Sequence, residues 1–254
     1  MQKNTWILCI VFLLAAPAVF SQKADSTKTP VHFSGAISVT NNGISLVPTF
    51  SLGKPAVLFN LSLGRGRLSF DPDMRFALEG KPWSFLFWWR YQLVKTKKFA
   101  MKLGAHPALN FKTQAVTING VVQNQLIARR YLAGELTPNY MMSKNISIGM
   151  YYLYSRGFDQ GSPKHTHFIT LNSNFSNIKL PDHLYMRFTP QLYYLKQDKL
   201  DGYYCTAALS LAKQNFPLSI STIVNKTIRT DIASKNFVWN INLVYSFNKT
   251  YDRH

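Results

Sequence analysis

The alternation of hydrophobic and polar positions is clearest in the last long apolar stretch of the chain, from Phe237 to Phe247. Every odd-numbered position in this stretch is apolar or aromatic, whereas the even positions are Asn or Ser, apart from two valines. A period of two places successive side chains on opposite faces of an extended strand. The stretch therefore predicts a β-strand with one oily face and one mostly polar face.

The oily face of this strand carries aromatic residues at both ends and aliphatic residues between them. A bilayer favours aromatic rings at its interfaces and aliphatic side chains in its interior. Ten residue steps cover on the order of 33 Å, and a tilt of about 40° leaves roughly 25 Å along the membrane normal, the usual height of a barrel's apolar band. A strand of a soluble β-sandwich could show the same alternation, so this strand alone leaves both interpretations open.

Alternating runs separated by turn residues recur from His32 onward, and we count thirteen of them. A closed up-and-down barrel with both termini on one side needs an even number of strands, and the chain length suggests about twelve. Asn41, Asn42 and Gly43 predict a tight hairpin turn into a run over residues 44–52. Because Pro48 interrupts that run, as Pro72 interrupts a later one, we expect one of the first four runs to be an excursion or half of a bent strand.

The first 21 residues predict a cleavable secretory signal peptide, with Lys3, an apolar run from Trp6 to Ala16, and small residues up to Ser21. This run is shorter than the roughly 20 residues that a membrane-spanning helix needs. We expect a polar leader over residues 22–31, a barrel over residues 32–248 and a tail over residues 249–254. Cys205 would be the only cysteine of the exported chain, so no intramolecular disulfide can form.

The barrel interpretation predicts two sets of side chains. Charged side chains on the polar strand faces cannot point into lipid, so they would line the lumen; they are Arg67, Asp71, Asp73, Arg75, Arg90, Lys102, Arg129, Glu135 and Arg187. Aromatic side chains on the oily faces would contact the lipid interfaces; they are Trp83, Trp89, Tyr152, Tyr154, Tyr194, Phe237, Trp239, Tyr245 and Phe247. The charged set either pairs internally and plugs the lumen or forms a constriction whose basic excess favours anions.

The formal net charge of +18 falls to +17 when Lys3 leaves with the signal peptide. Nucleic acid is not expected as a partner, because the basic residues are dispersed and the signal takes the chain out of the cytoplasm. Lysines near predicted strand ends would face anionic lipid headgroups and lipopolysaccharide phosphates; they are Lys95, Lys97, Lys98, Lys144, Lys196 and Lys199.

The sequence predicts neither a catalytic site nor a cofactor. A hydrolase would need a serine, a histidine and an orienting group together, and none of the histidines lies in such a motif. His165 and His167 would share one strand face and could hold a metal ion. Because no third ligand lies near them in the sequence, we interpret both as ordinary surface side chains. We therefore predict no metal site.

The signal sequence, the repeated alternation, the aromatic strand ends and the aromatic last strand together resemble the porin-like outer-membrane β-barrel proteins of Gram-negative bacteria. The resemblance implies a closed antiparallel up-and-down transmembrane β-barrel of about twelve strands in the outer membrane, assembled by the barrel-assembly machinery. In such proteins the last strand commonly ends the chain with an aromatic residue; here Phe247 has the right phase but is followed by NKTYDRH.

The expected function is a narrow passive channel that prefers anions, or a barrel scaffold whose loops bind a ligand. Two alternatives stay open on the sequence: a membrane-embedded enzyme acting on lipid, and a secreted soluble all-β binding protein. These alternatives differ in where the aromatic side chains point, outward into lipid or inward between two sheets.

Overall fold

Twelve antiparallel strands form one closed barrel in the computed structural model, which describes residues 29–118 and 121–251. Each strand pairs with its neighbours in sequence, and β1 pairs with β12 to close the sheet. The strands are β1 Val31–Thr40, β2 Ala56–Arg65, β3 Leu68–Ala77, β4 Pro82–Lys95, β5 Phe99–Ile118, β6 Val121–Met141, β7 Ile146–Gly157, β8 His165–Lys179, β9 Leu184–Gln197, β10 Leu200–Lys213, β11 Leu218–Thr230 and β12 Phe237–Tyr251.

The period-two alternation sorts the side chains between the exterior and the interior of the barrel. On β12, Trp239 and Leu243 are 48% and 53% exposed on the outside, whereas Asn240 between them is 4% exposed on the inside. An apolar exterior around a closed sheet fits a lipid bilayer, since closure pairs the edge strands with each other. The soluble sandwich is therefore wrong, because a closed barrel has no second sheet against which its outer face could pack.

The two ends of the barrel differ in their connections. The terminal end carries the start of β1, the end of β12 and short turns at residues 66–67, 96–98, 142–145, 180–183 and 214–217. The loop end carries the longer connections at residues 41–55, 158–164 and 231–236, together with shorter ones. β5 and β6 pair as far as Ile118 and Val121, so they form the longest hairpin among the described strands.

The N-terminal third corrects the predicted strand count. The run at residues 44–52 is not a strand, because the chain between β1 and β2 contains only a 3₁₀ turn, Pro48–Phe50. Removing this run from the thirteen leaves the twelve strands observed. The last strand continues to Tyr251, so residues 249–251 of the predicted tail pair with β1.

The predicted signal peptide, residues 1–21, lies outside the described residues. Within the described residues, no helix is long and apolar enough to cross a membrane.

The largest buried apolar cluster lies inside the barrel near the loop end. It comprises Phe168, Tyr193, Leu195, Tyr204 and Ile232. Tyr193 and Tyr204 stack with ring centroids 4.7 Å apart, and the Tyr193 hydroxyl donates to Asn225 Oδ1 at 2.8 Å. These side chains make one part of the inner wall apolar, and the first connection of the chain packs against them.

Candidate functional site: a lumen closed by the first loop

Residues 41–55, here called the inner loop, fold into the barrel instead of forming a hairpin turn. The amide of Gly43 donates to the Lys54 carbonyl at 2.7 Å, and the amide of Leu52 donates to the Gly43 carbonyl at 2.9 Å. Within the loop, the Ser45 amide donates to Ser51 Oγ at 2.9 Å. These bonds close the base of the loop, so the segment between them is held as a compact unit.

The inner loop contacts the barrel wall on several sides. The indole nitrogen of Trp83 on β4 donates to the Phe50 carbonyl at 2.8 Å, and the Phe50 ring meets Tyr131 of β6 edge-on, with centroids 5.1 Å apart. Thr49 exchanges a hydrogen bond with Gln197 of β9.

Leu46 and Val47 pack against the apolar cluster. Because β4 and β9 lie five strands apart around the barrel, the loop crosses the loop-end half of the lumen.

A charge network lies on the inner wall of β3, β4 and β6. Arg90 donates to Asp71 Oδ2 at 2.9 Å and to Glu135 Oε1 at 2.6 Å, and its guanidinium lies over the Trp88 ring at 4.5 Å. Asp71 also accepts hydrogen bonds from Ser62 and Ser69. Glu135 is only 3% exposed, so this ion pair is one of the most deeply buried contacts of the interior.

A second pair joins Arg75 to Asp73 on β3. Its guanidinium donates to both carboxylate oxygens of Asp73, and it lies 5.3 Å from the Trp83 ring centroid. Asp71, Asp73 and Glu135, the three acidic residues predicted to face the lumen, are thus all engaged by Arg75 and Arg90.

Several cations on inward positions make no salt bridge with any described residue, among them Lys102, Lys112, Arg129 and Arg187. Lys102 and Arg187 lie near the terminal end, and Lys112 and Arg129 lie near the loop end. Since the inward carboxylates are occupied, these cations leave the interior with a positive excess at both ends.

Above the inner loop lies a cavity of about 580 Å³ that opens at the loop end. Its lining includes Phe50 and Tyr131 as aromatic surfaces and Lys112, Arg129 and Lys199 as cations. The Nε atom of Arg129 is buried and has no hydrogen-bond partner among the described residues. We call this cavity the vestibule; it combines apolar faces with donors suited to a carboxylate or phosphate.

The structure places eight of the nine predicted lumen charges on inward positions of the strands. The exception is Arg67, which lies exposed in the turn between β2 and β3. The prediction for Arg67 extended strand β3 by one residue, whereas the strand begins at Leu68. The hairpin turn takes this residue out of the alternation, so it faces solvent at the terminal end.

Among the predicted interface aromatics, Trp83 is wrong because it is only 2% exposed and points inward. Arg75 pairs with Ser84 while Phe76 pairs with Pro82, so Trp83 is an extra residue in a β-bulge. The bulge reverses the alternation at this one position and turns the indole toward the inner loop.

The other predicted aromatics occupy the outer phase of their strands. Trp89, Phe237, Trp239 and Tyr245 are 45–54% exposed. Phe247 packs against Phe33 across the closing β1–β12 pair, with centroids 5.3 Å apart. Tyr152, Tyr154 and Tyr194 lie on β7 and β9, toward the loop end.

Three of the histidines contact aromatic side chains. His165 Nδ1 lies 2.8 Å from the Tyr154 hydroxyl, and His167 Nδ1 lies 3.0 Å from the Tyr152 hydroxyl, on the outer face. His106 stacks on Trp88 inside the barrel, with centroids 3.8 Å apart. Among residues 29–118 and 121–251, no three His, Cys, Asp or Glu side chains come together to hold a metal ion.

The chain matches no protein-family model and no curated protein sequence. Its fold does match solved structures. A structure titled KdgM porin has a TM-score of 0.53 and 12% identity, covering 84% of this chain and 99% of that one. The fold is that of a porin-like outer-membrane β-barrel. The apolar exterior of this closed barrel fits a lipid bilayer.

Two further porin structures show the same likeness. KdgM porin in complex with disordered oligogalacturonate has a TM-score of 0.52 and 11% identity, covering 85% of this chain and 99% of that one. NanC porin has a TM-score of 0.52 and 9% identity, covering 84% of this chain and 98% of that one. At these identities the likeness concerns the fold.

The inner loop and the vestibule were missed by the sequence analysis. Pro48 was the one signal that residues 44–52 are not a paired strand, because a proline cannot donate to the ladder. Their inward path depends on contacts with β4, β6 and β9, which no local pattern contains.

Proposed function

We propose that the protein is a narrow passive channel for small anionic solutes, and that the inner loop closes its loop-end mouth in the resting state. The observation that carries this proposal is the distribution of inward charge. All three inward carboxylates are paired, whereas Lys102, Lys112, Arg129 and Arg187 make no salt bridge with a described residue. A pore lined by such an excess attracts anions and repels cations.

The loop-end half of the lumen holds the inner loop, so ion flow requires the loop to move. The contacts that would have to break include the Trp83 bond to Phe50, the bonds between Thr49 and Gln197, the ring contact of Phe50 with Tyr131, and the apolar packing of Leu46 and Val47. We expect a purified barrel in planar bilayers to show brief openings separated by long closed periods.

The first experiment removes the inner loop. Replacing residues 44–52 with two glycines should give a sustained conductance that the full chain shows only transiently. A matched control shortens the β5–β6 hairpin by residues 115–118 and 121–124, because removing four residues from each strand preserves the alternation. The control should keep the brief openings, and absence of current in the loop variant would refute the channel.

The second experiment measures ion selectivity in the loop variant under a salt gradient. Lys102→Gln combined with Arg187→Gln should shift the reversal potential toward zero, because both cations face the lumen at the terminal end. The control is Lys97→Gln, which removes a positive charge from the exposed turn between β4 and β5, outside the lumen. It should leave the reversal potential unchanged. If the loop variant without the glutamine substitutions gives the reversal potential of a cation-selective pore, the anion preference is contradicted.

A second candidate function is ligand binding by the loop end of a closed barrel, without conduction. The observation that favours it is the vestibule, where the partnerless Arg129 Nε lies beside Tyr131 and Phe50. The neighbour crystallised with oligogalacturonate supplies a probe, since that ligand is an acidic saccharide. Saturable binding that is weakened by Arg129→Gln, in a barrel that stays closed to ions, would support this function over the channel.

A further inference from the structure

The outer face of the barrel carries a row of cations near the loop end, on β7, β9 and β11. The row consists of Arg156, Lys196 and Arg229, and all three side chains are exposed. Aromatic residues lie beside the row on the same outer face: His165 pairs with Arg156, His167 pairs with Lys196, and Tyr203 pairs with Arg229.

The register, combined with a strand tilt of about 40°, puts the three cations at one depth in the membrane. From β7 to β11, one residue on each strand pairs with the next in a continuous series, which consists of Tyr152, Ile169, Tyr194, Tyr203 and Arg229. With strands about 4.8 Å apart and tilted by about 40°, each step along this series climbs roughly 3 Å along the membrane normal. Arg229 therefore lies roughly 12 Å above Tyr152.

The direction of the climb follows from the strand ends. β7 continues five residues beyond Tyr152, whereas β11 continues one residue beyond Arg229. Moving four residues along β7 from Tyr152 to Arg156 climbs roughly 10 Å by the same geometry. By the same geometry Lys196 lies roughly 11 Å above Tyr152, so the three cations share one level to within roughly 2 Å.

A girdle of tyrosines lies just below this level. Tyr154, Tyr194 and Tyr203 occupy the outer face between the row and the aliphatic positions, and the Tyr194 and Tyr203 rings lie 5.0 Å apart. Such aromatic side chains mark the interface between acyl chains and headgroups. Cations immediately above them lie where the phosphates of the lipid headgroups are.

None of the three cations makes a salt bridge with a described residue. Asp159 is engaged by Arg130, and Asp201 accepts a hydrogen bond from the Tyr194 hydroxyl at 3.0 Å. Lys196 lies opposite Asp201 in the sheet but makes no salt bridge with it.

The opposite side of the barrel carries no comparable row. At the loop end of β12, β1, β2 and β3, the outward residues are apolar; they are Phe237, Val39, Val57 and Phe76. The cations are thus confined to one side, as expected for the footprint of a particular lipid rather than for a general attraction to an anionic surface.

We propose that this row is a docking site for the phosphates of a phosphorylated saccharolipid, the lipid A part of lipopolysaccharide, in the outer leaflet. The longer connections at the loop end place that end outside the cell, and therefore in this leaflet. The guanidinium groups of Arg156 and Arg229 can each bind a phosphate with two parallel hydrogen bonds, while Lys196 acts as a point charge between them.

The test is titration of the purified barrel with bisphosphorylated lipid A, followed by native mass spectrometry of bound lipid. In the variant Arg156→Gln/Lys196→Gln/Arg229→Gln, affinity should fall on the order of 100-fold, since each basic residue near an anionic lipid surface strengthens binding roughly fivefold. The control Lys54→Gln/Lys81→Gln/Lys235→Gln removes the same charge from other connections at the loop end and should bind as the unmodified protein does.

Two further probes identify the ligand chemistry. Dephosphorylated lipid A should bind the unmodified protein as weakly as phosphorylated lipid A binds the row variant. Phosphatidylglycerol should bind weakly and equally to all three proteins. Equal losses in the row and control variants, or tighter binding of phosphatidylglycerol, would overturn the proposal.

Heat-modifiable migration on gels confirms that each variant is folded before titration. If the glutamine variant does not fold, Arg156→Lys/Arg229→Lys keeps the charge but removes the bidentate geometry, and should weaken binding by a smaller factor. Unchanged affinity in that variant would exclude the bidentate contacts. The test does not depend on conduction, so it stands apart from the proposed channel.

Discussion

The indole nitrogen of Trp83 donates a hydrogen bond of 2.8 Å to the carbonyl oxygen of Phe50, and so ties the barrel wall to the loop that fills it. Trp83 faces inward only because the β3–β4 pairing contains a bulge at that position. The bond links a strand residue to a loop residue 33 positions away, and it satisfies both a buried ring nitrogen and a main-chain carbonyl.

Replacing Trp83 by Phe should loosen the inner loop without leaving a large cavity where the indole ring was. The aromatic ring is largely kept, but the Phe50 carbonyl loses its donor, which costs about 1 kcal/mol. In planar bilayers the variant should open more often than the unmodified protein. Trp89→Phe, on the outer face of the same strand, should leave the opening frequency unchanged; an equal increase in both variants would disprove the tether.

Replacing Arg90 by Met should destabilise the barrel by about 3 kcal/mol or more, because it leaves two buried carboxylates without their cation. The Glu135 side chain is 1% exposed, so it cannot regain its hydration. The measurement is urea unfolding of the protein in lipid vesicles, followed by tryptophan fluorescence.

The double variant Arg90→Met/Glu135→Met should recover part of this loss, since Asp71 keeps its bonds from Ser62 and Ser69. Arg187→Met, at an inward arginine without a salt bridge among the described residues, is the control and should be close to neutral. A double variant less stable than Arg90→Met would argue against the pairing.

The connection between β7 and β8 should depend on pH through Asp159. Its carboxylate accepts hydrogen bonds from the Arg130 side chain and main-chain amide, and these hold the pKa of Asp159 below its ordinary value of 3.8. A lowered pKa in the folded state means that the tether is fully present above pH 3.8 and is lost as the pH falls through the lowered pKa.

Hydrogen exchange of the Arg130 amide, corrected for the intrinsic rate, measures this tether. Protection should stay constant from neutral pH down to about 4 and decline only below it. Asp159→Asn should show low protection at every pH, whereas Asp182→Asn, in a turn at the terminal end, should follow the unmodified protein. Protection that declines near neutral pH would point to a different group.

The anion selectivity of the barrel without its inner loop should fall as the ionic strength rises. The inward cations without salt bridges are partly exposed, so salt screens them over roughly 10 Å at 0.1 M. The anion preference of the variant lacking residues 44–52 should therefore weaken between 0.1 M and 1 M salt. Selectivity that is independent of salt would locate its origin in a narrow steric constriction instead.

The closed barrel, its exterior and most of its inward charges follow from the sequence by itself. A strand alternates its side chains with a period of two whatever its neighbours are, so Trp239 and Asn240 reveal their faces without reference to the rest of the fold. The porin-like architecture follows for the same reason, since the alternation repeats in nearly every strand.

Only the tertiary structure decided what fills the barrel. The bulge that turns Trp83 inward, the path of residues 41–55 and the meeting of Phe50 with Tyr131 depend on side chains far apart in the chain. The same holds for the level row of Arg156, Lys196 and Arg229, which needs both the register and the strand tilt. Local periodicity carries no information about such contacts, because they arise only once the sheet has closed.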